Sequence, residues 1–446
     1  MTTSPAAKLG LLRDNDPNMT DLDVWLNGDE NFMGDLTAAL HGNNTVNNAT
    51  FLCTCPSTIE EGTRLGDEKS KNRLMALLKS LGSIPTIRKF CITGPTSPHY
   101  SFPIQGLAQL LQHARKCTRF SVGRMITNGT EEEWTQFAGS LQSHDSLEEL
   151  YFNGSILFGG ASSVPLGQER LLEAVGSMKA LKIVTLNGLS SHVGNPSSTP
   201  KNVSVESMSS LCQSASLTKL LIYDFTLTDD HLGGIAQAIQ ANNQCQLKEI
   251  RLSSCHVGSQ GILALGKLLS IGTLQLLHVW IKELESDDRG ATKASCLFLA
   301  DSLQTSQLRD FRLMTSAHYQ SRLLTPTQVD QQHPICHPHM QAAFCHAIGW
   351  NYHLETFSML CGFSHHAEIA FYLKLNKLGR RRLFCSREDP TSIQTKRQQR
   401  HRSKRARSDV MYNRRIDWVE VLIDSLHDLS CLYYFLSMNP SLCHSS

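Results

Sequence analysis

The spacing LxxLxL recurs along this chain so regularly that it limits what the chain can fold into. Its clearest copy opens the stretch "QLKEIRLSSCHVGSQGILALGKLL", residues 246–269, where Leu247, Ile250 and Leu252 are followed three residues later by Cys255. The same spacing starts at Leu147, Leu181, Leu217, Leu274, Leu308 and Leu354, and with looser residues at Ile87 and Cys117. Weaker copies start at Met19 and Val46. Successive copies lie 27, 41, 30, 30, 34, 36, 30, 27, 34 and 46 residues apart. Self-similarity of this kind is the signature of a solenoid assembled from one supersecondary unit.

Between the copies, apolar residues recur three and four apart in "ERLLEAVGSM" (169–178), "DHLGGIAQAIQ" (230–240), "SQGILALGKLL" (259–269) and "TKASCLFLADSL" (292–303). That periodicity predicts helices. Each unit is therefore one strand and one helix, and neither buries its apolar face alone, so neighbouring units must stack and share a core. The predicted fold is an α/β solenoid over residues 1–380, with a curved parallel sheet inside and helices outside. Its strands are expected near 19, 46, 87, 117, 147, 181, 217, 247, 274, 308 and 354.

The motif "LKEIRLSSCHVGSQGILALGKLL" resembles the leucine-rich repeats of the ribonuclease-inhibitor-like group, whose pattern is LxxLxLxxC followed by a helix. The resemblance extends over roughly residues 19–380. The ninth position departs from it: Cys255 is replaced by Phe225, Ser155, Met125 or Pro95 in other copies, which predicts irregular loops after the strands. The ending "FYLKLNKLGRRRLF … WVEVLIDSLHDLSCLYYFLSMNPSLC" also resembles the tail of repeat proteins numerous in unicellular algae, a similarity that implies no activity.

Hydrophobic residues make up 41% and charged residues 18% of the 446, the balance of a folded soluble protein. The 14 cysteines are scattered, with only Cys53 and Cys55 close together, so a reducing compartment is expected rather than a disulfide framework. The start, "MTTSPAAKLGLLRDNDP", lacks a signal-peptide core, and no apolar run reaches bilayer-spanning length. Sequons at Asn18, Asn43, Asn48, Asn128, Asn153 and Asn202 then read as chance. In "CHSS" the cysteine stands where prenylation needs one, but His444 and Ser445 are not aliphatic. The expected location is cytoplasmic or nuclear.

"GILALGK", Gly261 to Lys267, fits most of a phosphate-binding loop. Such a loop needs a hydroxyl after its lysine to hold Mg²⁺, and Leu268 stands there. The stretch reads as helix. "HPICHPH" brings together His333, Cys336, His337 and His339, with Cys345 and His346 following. Zinc accepts such donors, but a structural site needs two paired ligand sets, and Cys345 falls on a predicted helix with its side chain toward the core. His365 in "SHH" is expected in the first turn of a helix. No GxSxG, HExxH, dinucleotide turn or acid pair occurs, so neither an enzyme nor a cofactor is implied.

Four segments exceed the repeat: "GPTSPHYSFP" (94–103), "GSILFGGASSVPLG" (154–167), "LSSHVGNPSSTPKN" (189–202) and "TSAHYQSRLLTPTQVDQQHPICHP" (315–338). Each is expected to be a loop between a strand and a helix, placing all four on one rim. They read as exposed loops free to drift, or as a composite binding rim.

Strand alternation sends the third, fifth and seventh positions of each copy to the concave face. That column supplies Glu149, Tyr151 and Asn153; Lys219, Leu221 and Tyr223; Glu249, Arg251 and Ser253; Leu276, His278 and Trp280; and Asp310, Arg312 and Met314. Large apolar and aromatic residues beside Arg and Lys are what interface hot spots look like. The expected protein-binding face comprises Tyr151, Lys219, Leu221, Tyr223, Arg251, Leu276, His278, Trp280 and Arg312. The competing reading is that an insertion covers them.

Charge is concentrated elsewhere. Residues 379–415 hold thirteen Lys or Arg against three Asp or Glu, a net of +10 in a chain of net +2. The centre, "KRQQRHRSKRAR", carries Lys396, Arg397, Arg400, Arg402, Lys404, Arg405 and Arg407 and no large apolar residue. Residues 381–415 are expected to be a disordered excursion before a capping helix in 416–446. It reads as a nuclear-import address for an acidic receptor, a phosphate-binding arm, or a solvated loop without a role. It has no aromatic interleaving for base stacking, so specific nucleic-acid recognition is disfavoured. The sequence thus predicts a noncatalytic protein-interaction scaffold. The alternatives are a small-GTPase regulator, by analogy with some ribonuclease-inhibitor-like repeats, and a nucleic-acid-associated nuclear protein.

Overall fold

A computed structural model of the chain describes residues 5–26, 30–53, 68–94, 101–123, 126–128, 130–153, 165–188, 203–284, 289–315, 338–359 and 366–377. The basic residues 396–407, the 416–446 segment, His333, Cys336, His337 and His365 lie outside these ranges. So do most of the 154–167, 189–202 and 315–338 segments.

Strand and helix alternate through almost the whole of what is described. The strands are β1 (Asp21–Leu26), β2 (Asn48–Cys53), β3 (Lys89–Thr93), β4 (Ser101–Pro103), β5 (Arg119–Gly123), β6 (Ile126–Asn128), β7 (Glu149–Asn153), β8 (Ile183–Asn187), β9 (Lys219–Tyr223), β10 (Glu249–Val257), β11 (Leu276–Leu284), β12 (Asp310–Thr315) and β13 (Thr356–Ser358). The helices are α1 (Pro5–Arg13), α2 (Glu30–Leu40), α3 (Glu68–Gly82), α4 (Ile104–His113), α5 (Glu131–Gln142), α6 (Pro165–Ser177), α7 (Val205–Ser210), α8 (Asp229–Ala241), α9 (Ser259–Leu269), α10 (Arg289–Thr305), α11 (Pro338–Trp350) and α12 (His366–Lys377). Eleven strands form one sheet in the order β1-β2-β3-β5-β7-β8-β9-β10-β11-β12-β13. Every strand pair with a described register is parallel. This is an α/β leucine-rich repeat solenoid. Each of the eleven strands begins two residues after the first position of an LxxLxL copy.

The first, fourth and sixth positions of each copy make the core. In the clearest copy, Leu247, Ile250 and Leu252 are buried, and from Met19 to Leu313 no residue at these positions is more than 8% exposed. The positions between them stay half-buried or exposed, except for His278, which is buried. Among the described residues, helices therefore cover one face of the sheet and leave the other open, since a sheet covered on both faces would bury both sets of residues.

The chain divides into two compact units, residues 1–255 and 256–446. In the first unit the fourth and sixth positions carry stacked phenylalanines. The Phe51, Phe90 and Phe120 rings follow one another at 5.9 and 5.6 Å, and Phe120 then meets Phe152 edge-on at 6.5 Å. Phe137 of α5 closes on Phe120 and Phe152 at 6.4 and 6.2 Å, so this helix is keyed into the sheet by rings. Such pairs add to plain area burial. In the second unit, Phe357 of β13 lies 5.9 Å from Phe311 and 6.3 Å from Phe344 of α11.

Local chemistry sets the helix ends. Thr130 and Glu133 form a reciprocal capping box at α5: the Thr130 hydroxyl accepts from the Glu133 amide at 3.3 Å, and the Glu133 carboxylate accepts from the Thr130 amide at 2.8 Å. Glu131, Glu132 and Glu133 also set negative charge against the positive end of the helix dipole. At α9, "GILALGK" is helical throughout, with Ile262, Leu265 and Leu268 in the core. A Cβ on Gly266 would stand 2.6 Å from the Phe298 ring of α10. That glycine serves helix–helix packing rather than a phosphate.

In some copies the turn before the strand carries a polar clamp. Three residues before the first position of a copy, Asn43 donates to the carbonyl of Leu12 at 2.9 Å, and its side-chain oxygen accepts the amides of Thr45 and Val46 at 3.1 Å each. Asn351 repeats the pattern, donating to the Ser306 carbonyl at 3.1 Å and accepting from His353 and Leu354 at 2.8 and 2.9 Å. These bonds satisfy buried carbonyls and tie one unit to the next.

One feature differs from the sequence expectation. The 94–103 segment is not loop throughout: Ser101–Pro103 forms β4, which pairs in parallel with β6 as a separate two-stranded sheet. The backbone groups just before α4 thus find partners on the neighbouring unit instead of solvent. The backbone after the first strand residues varies from copy to copy. At the eighth position, Asp224 and Ser254 adopt φ of 59° and 61°. Gly188 holds the equivalent place, where an added Cβ would stand 2.3 Å from the Asp224 carbonyl oxygen. The backbones approach too closely there for a side chain.

Candidate functional site

The open face is laid out by register. Within the first unit, one row runs Arg119, Glu149, Ile183, Lys219, Glu249; the next runs Ser121, Tyr151, Thr185, Leu221, Arg251; a third runs Gly123, Asn153, Asn187, Tyr223. Within the second, Leu276 pairs with Asp310, His278 with Arg312 and Trp280 with Met314.

In the first unit the charges are paired along the row. Arg119 bonds Glu149 on the adjoining strand. Glu249 holds Lys219 at 3.0 Å and the Arg251 guanidinium at 2.7 Å, and its own side chain is only 13% exposed. Arg251 also hydrogen-bonds the Tyr223 hydroxyl, and Tyr151 lies close enough to act on the same phenol. Burial pushes the Tyr223 phenol up from its ordinary value, against the opposing pull of the Arg251 charge. Tyr151, Leu221, Tyr223 and Arg251 are half-buried, and Lys219 is exposed. Aromatic faces and a guanidinium oriented by a carboxylate make a surface already ordered for contact, which lowers the entropy lost on binding.

The second unit holds a tighter cluster. Asp310 receives Arg312 in a two-pronged bond, 3.0 Å to one oxygen and 3.1 Å to the other. The His278 Nε2 lies 3.1 Å from the same carboxylate. Trp280 stands edge-on to the His278 ring, with centroids 5.7 Å apart and planes at 82°. Leu276, Trp280 and Arg312 are half-buried, but His278 is buried at 4% exposure. Sequence alternation placed His278 on a wet surface; the indole and the Asp310–Arg312 pair enclose it instead.

Of the candidate metal ligands, His339 and His346 are exposed on α11, and His346 faces the Trp350 ring at 6.2 Å. Cys345 is buried in the core, where burial pushes its thiol up to about 12. Among the described residues, no three His, Cys, Asp or Glu side chains stand together as a metal site. No helix among them is long and apolar enough to cross a membrane.

One surface residue escaped the sequence reading. Trp25 is 64% exposed on β1, on the same face as Asp21 and Asp23. It is the seventh position of the weak copy starting at Met19, so the column rule finds it once that copy is read like the stronger ones.

No family model matches the chain, and no curated protein matches it. Among solved structures, the leiomodin-1 actin-binding site 2 is similar at 15% identity and a TM-score of 0.27, covering 40% of this chain and 90% of that one. The tropomodulin C-terminal domain of Caenorhabditis elegans is similar at 12% identity and a TM-score of 0.27, covering 39% and 93%. At that score neither likeness carries an argument about what this chain binds.

Proposed function

We propose that this chain is a noncatalytic protein-binding scaffold whose repeats belong to the ribonuclease-inhibitor-like group. A protein partner engages the open face, at Tyr151, Lys219, Leu221, Tyr223 and Arg251 in the first unit and at Leu276, His278, Trp280 and Arg312 in the second. The observation that carries the reading is the cluster around Glu249. An open sheet face gives its side chains no core to pack into, yet Tyr223, Arg251, Glu249 and Lys219 hold one another in fixed positions. Tyr and Arg held in this way are the residues that dominate interface energetics. The basic segment 396–407 is a separate electrostatic element that suits an acidic partner such as an import receptor.

The test is capture of a partner from cell extract, followed by affinity measurement with purified variants. Tyr223→Ala, Arg251→Ala and Trp280→Ala are expected to weaken binding by about 2 kcal/mol each while leaving the melting temperature in place. Lys267→Ala, on the outer helix α9, should leave affinity unchanged. Loss at Lys267 with retention at all three open-face positions would move the site off the sheet.

A further inference from the structure

Cations are gathered at one place on the open face of the first unit. Lys89 on β3 and Arg119 on β5 are register partners, and both are exposed. Like charges set side by side on neighbouring strands repel, so the pair does not stabilise the sheet. Glu149, on the far side of Arg119, engages that guanidinium. Lys89 has no such relief: its other register partner is Asn48, whose amide donates to Asp21 at 2.6 Å. Arg88 stands exposed at the entrance to β3, and Arg115 and Lys116 stand exposed in the turn into β5. Arg115 reaches the Ser143 carbonyl at 3.2 Å. Among the described residues, the side chains of Arg88, Lys89 and Lys116 make no ion pair or hydrogen bond.

The open-face positions of β2, β3 and β5 hold no acid, and neither do residues 43–47, 83–88 and 114–118, which lead into these strands. Carboxylates stand only beyond them. Asp21 and Asp23 are exposed on β1. On the other side are Asp145 in the turn into β7, Glu149, and Glu148, which holds Lys182 at 2.7 Å. Five cations thus form an island two repeats wide, framed by acids on both sides. Neighbouring strands stand about 4.8 Å apart, so a few adjacent carboxylates can reach the whole island. A nucleic-acid backbone draws on roughly six to ten phosphate contacts along a longer track, and here it would run onto the acids of β1 or β7. No aromatic side chain stands on the open face of β2, β3 or β5 to stack a base. We propose that the open face at β3 and β5 docks a short Asp- or Glu-rich segment of a protein partner. Arg88, Lys89 and Lys116 receive its carboxylates, beside an Arg119 held in place by Glu149. Complementarity of this kind speeds association and excludes wrong partners more than it adds affinity. The island shares no residue with the partner-binding surface proposed above.

The experiment uses the full chain with the seven Lys and Arg of residues 396–407 replaced by Gln, so that their charge does not take up the probe. A fluorescent peptide of alternating Glu and Gly is titrated by anisotropy at low salt. Arg88→Gln, Lys89→Gln and Lys116→Gln, combined, should weaken its binding about tenfold. The melting temperature should hold or rise, because no partner is lost and a repulsion is removed. Lys248→Gln, Lys293→Gln and Lys377→Gln, combined, remove the same charge from exposed positions elsewhere and should leave binding nearly unchanged. A Gln–Gly peptide should not bind. Carbodiimide coupling of the bound Glu peptide, which joins carboxylate to amine with loss of water, should map to Lys89 and Lys116. Equal weakening by the two triple variants would mean attraction to net charge alone and overturns the proposal, as does coupling that avoids both lysines. Tighter binding of oligothymidylate than of the Glu peptide, lost in the first triple variant, would make the island a nucleic-acid site and overturns it too.

Discussion

The Nε2 of His144 lies 2.9 Å from the carbonyl oxygen of Ala114, one repeat earlier in the chain. It occupies the place that Asn43 and Asn351 hold in other units, three residues before the first strand position, and performs the same bond. The carbonyl can only accept, so Nε2 carries the proton, and the ring is neutral. His144 is 1% exposed, and its Nδ1 has no partner among the described residues.

A histidine at this place makes the turn sensitive to pH. Burial, chiefly, lowers the His144 pKa from its ordinary value, against the raising effect of the Ala114 bond. An unfolded histidine takes up its proton near pH 6.5, so the unfolded chain binds more protons than the folded one as pH falls below that. The contribution is therefore complete above about pH 6.5 and lost progressively as pH falls toward the folded value. Denaturation midpoints at pH 7.5 and 5.5 should show a loss that His144→Asn removes, since Asn keeps the carbonyl bond without titrating. An identical acid loss in both proteins would clear His144 of the effect.

Ile250→Asp tests the core register. Ile250 is fully buried at the fourth position of its copy, and an unpaired carboxylate there costs several kcal/mol, a large share of a typical stability of about 5–15 kcal/mol. Circular dichroism should show an unfolded or early-melting chain. Phe120→Ala, which removes the ring shared by Phe90, Phe137 and Phe152, should cost about 3–5 kcal/mol. A native-like melt from Ile250→Asp would mean that the inward face is wrong.

The strands were legible because their signal is local: three apolar residues at fixed spacing point one way whatever surrounds them, and even the weak copies at Met19 and Val46 became β1 and β2. The helix over "GILALGK" was legible for the same reason. The burial of His278 was not, since it depends on where Trp280 and the Asp310–Arg312 pair come to rest, and side-chain enclosure across strands has no sequence period. Nor was β4, whose pairing with β6 joins one of the segments that exceed the repeat to the turn after β5, neither of which has a repeat pattern of its own. The His144 substitution could be read only once Asn43 and Asn351 had shown what the position does.

The described cysteines should divide by depth. Burial pushes the Cys117 and Cys296 thiols up to about 12, and raises Cys212 and Cys255 further. Since the thiolate is the reactive form, an aromatic disulfide reagent at pH 8 should leave these four unmodified in the native chain. They should react together on unfolding. Cys91 and Cys245, only half-buried, should react earlier. Mass mapping that finds Cys255 labelled in the native state would mean that β10 opens without global unfolding.

Glu249→Gln separates the structural from the recognition role of the open face. The carboxylate holds two cations whose side chains are 47% and 35% exposed, Lys219 and Arg251. Ion pairs that solvent reaches so readily contribute within about 1 kcal/mol, so the melting temperature should scarcely move. Both cations would nevertheless be released from their common anchor, and the face would gain one positive charge. Association with a captured partner should then change in rate, in opposite directions for acidic and basic partners, and the change should fade as salt rises. Melting that falls by many degrees would show that Glu249 is a structural strut. An unchanged rate at low salt would mean that the partner binds elsewhere.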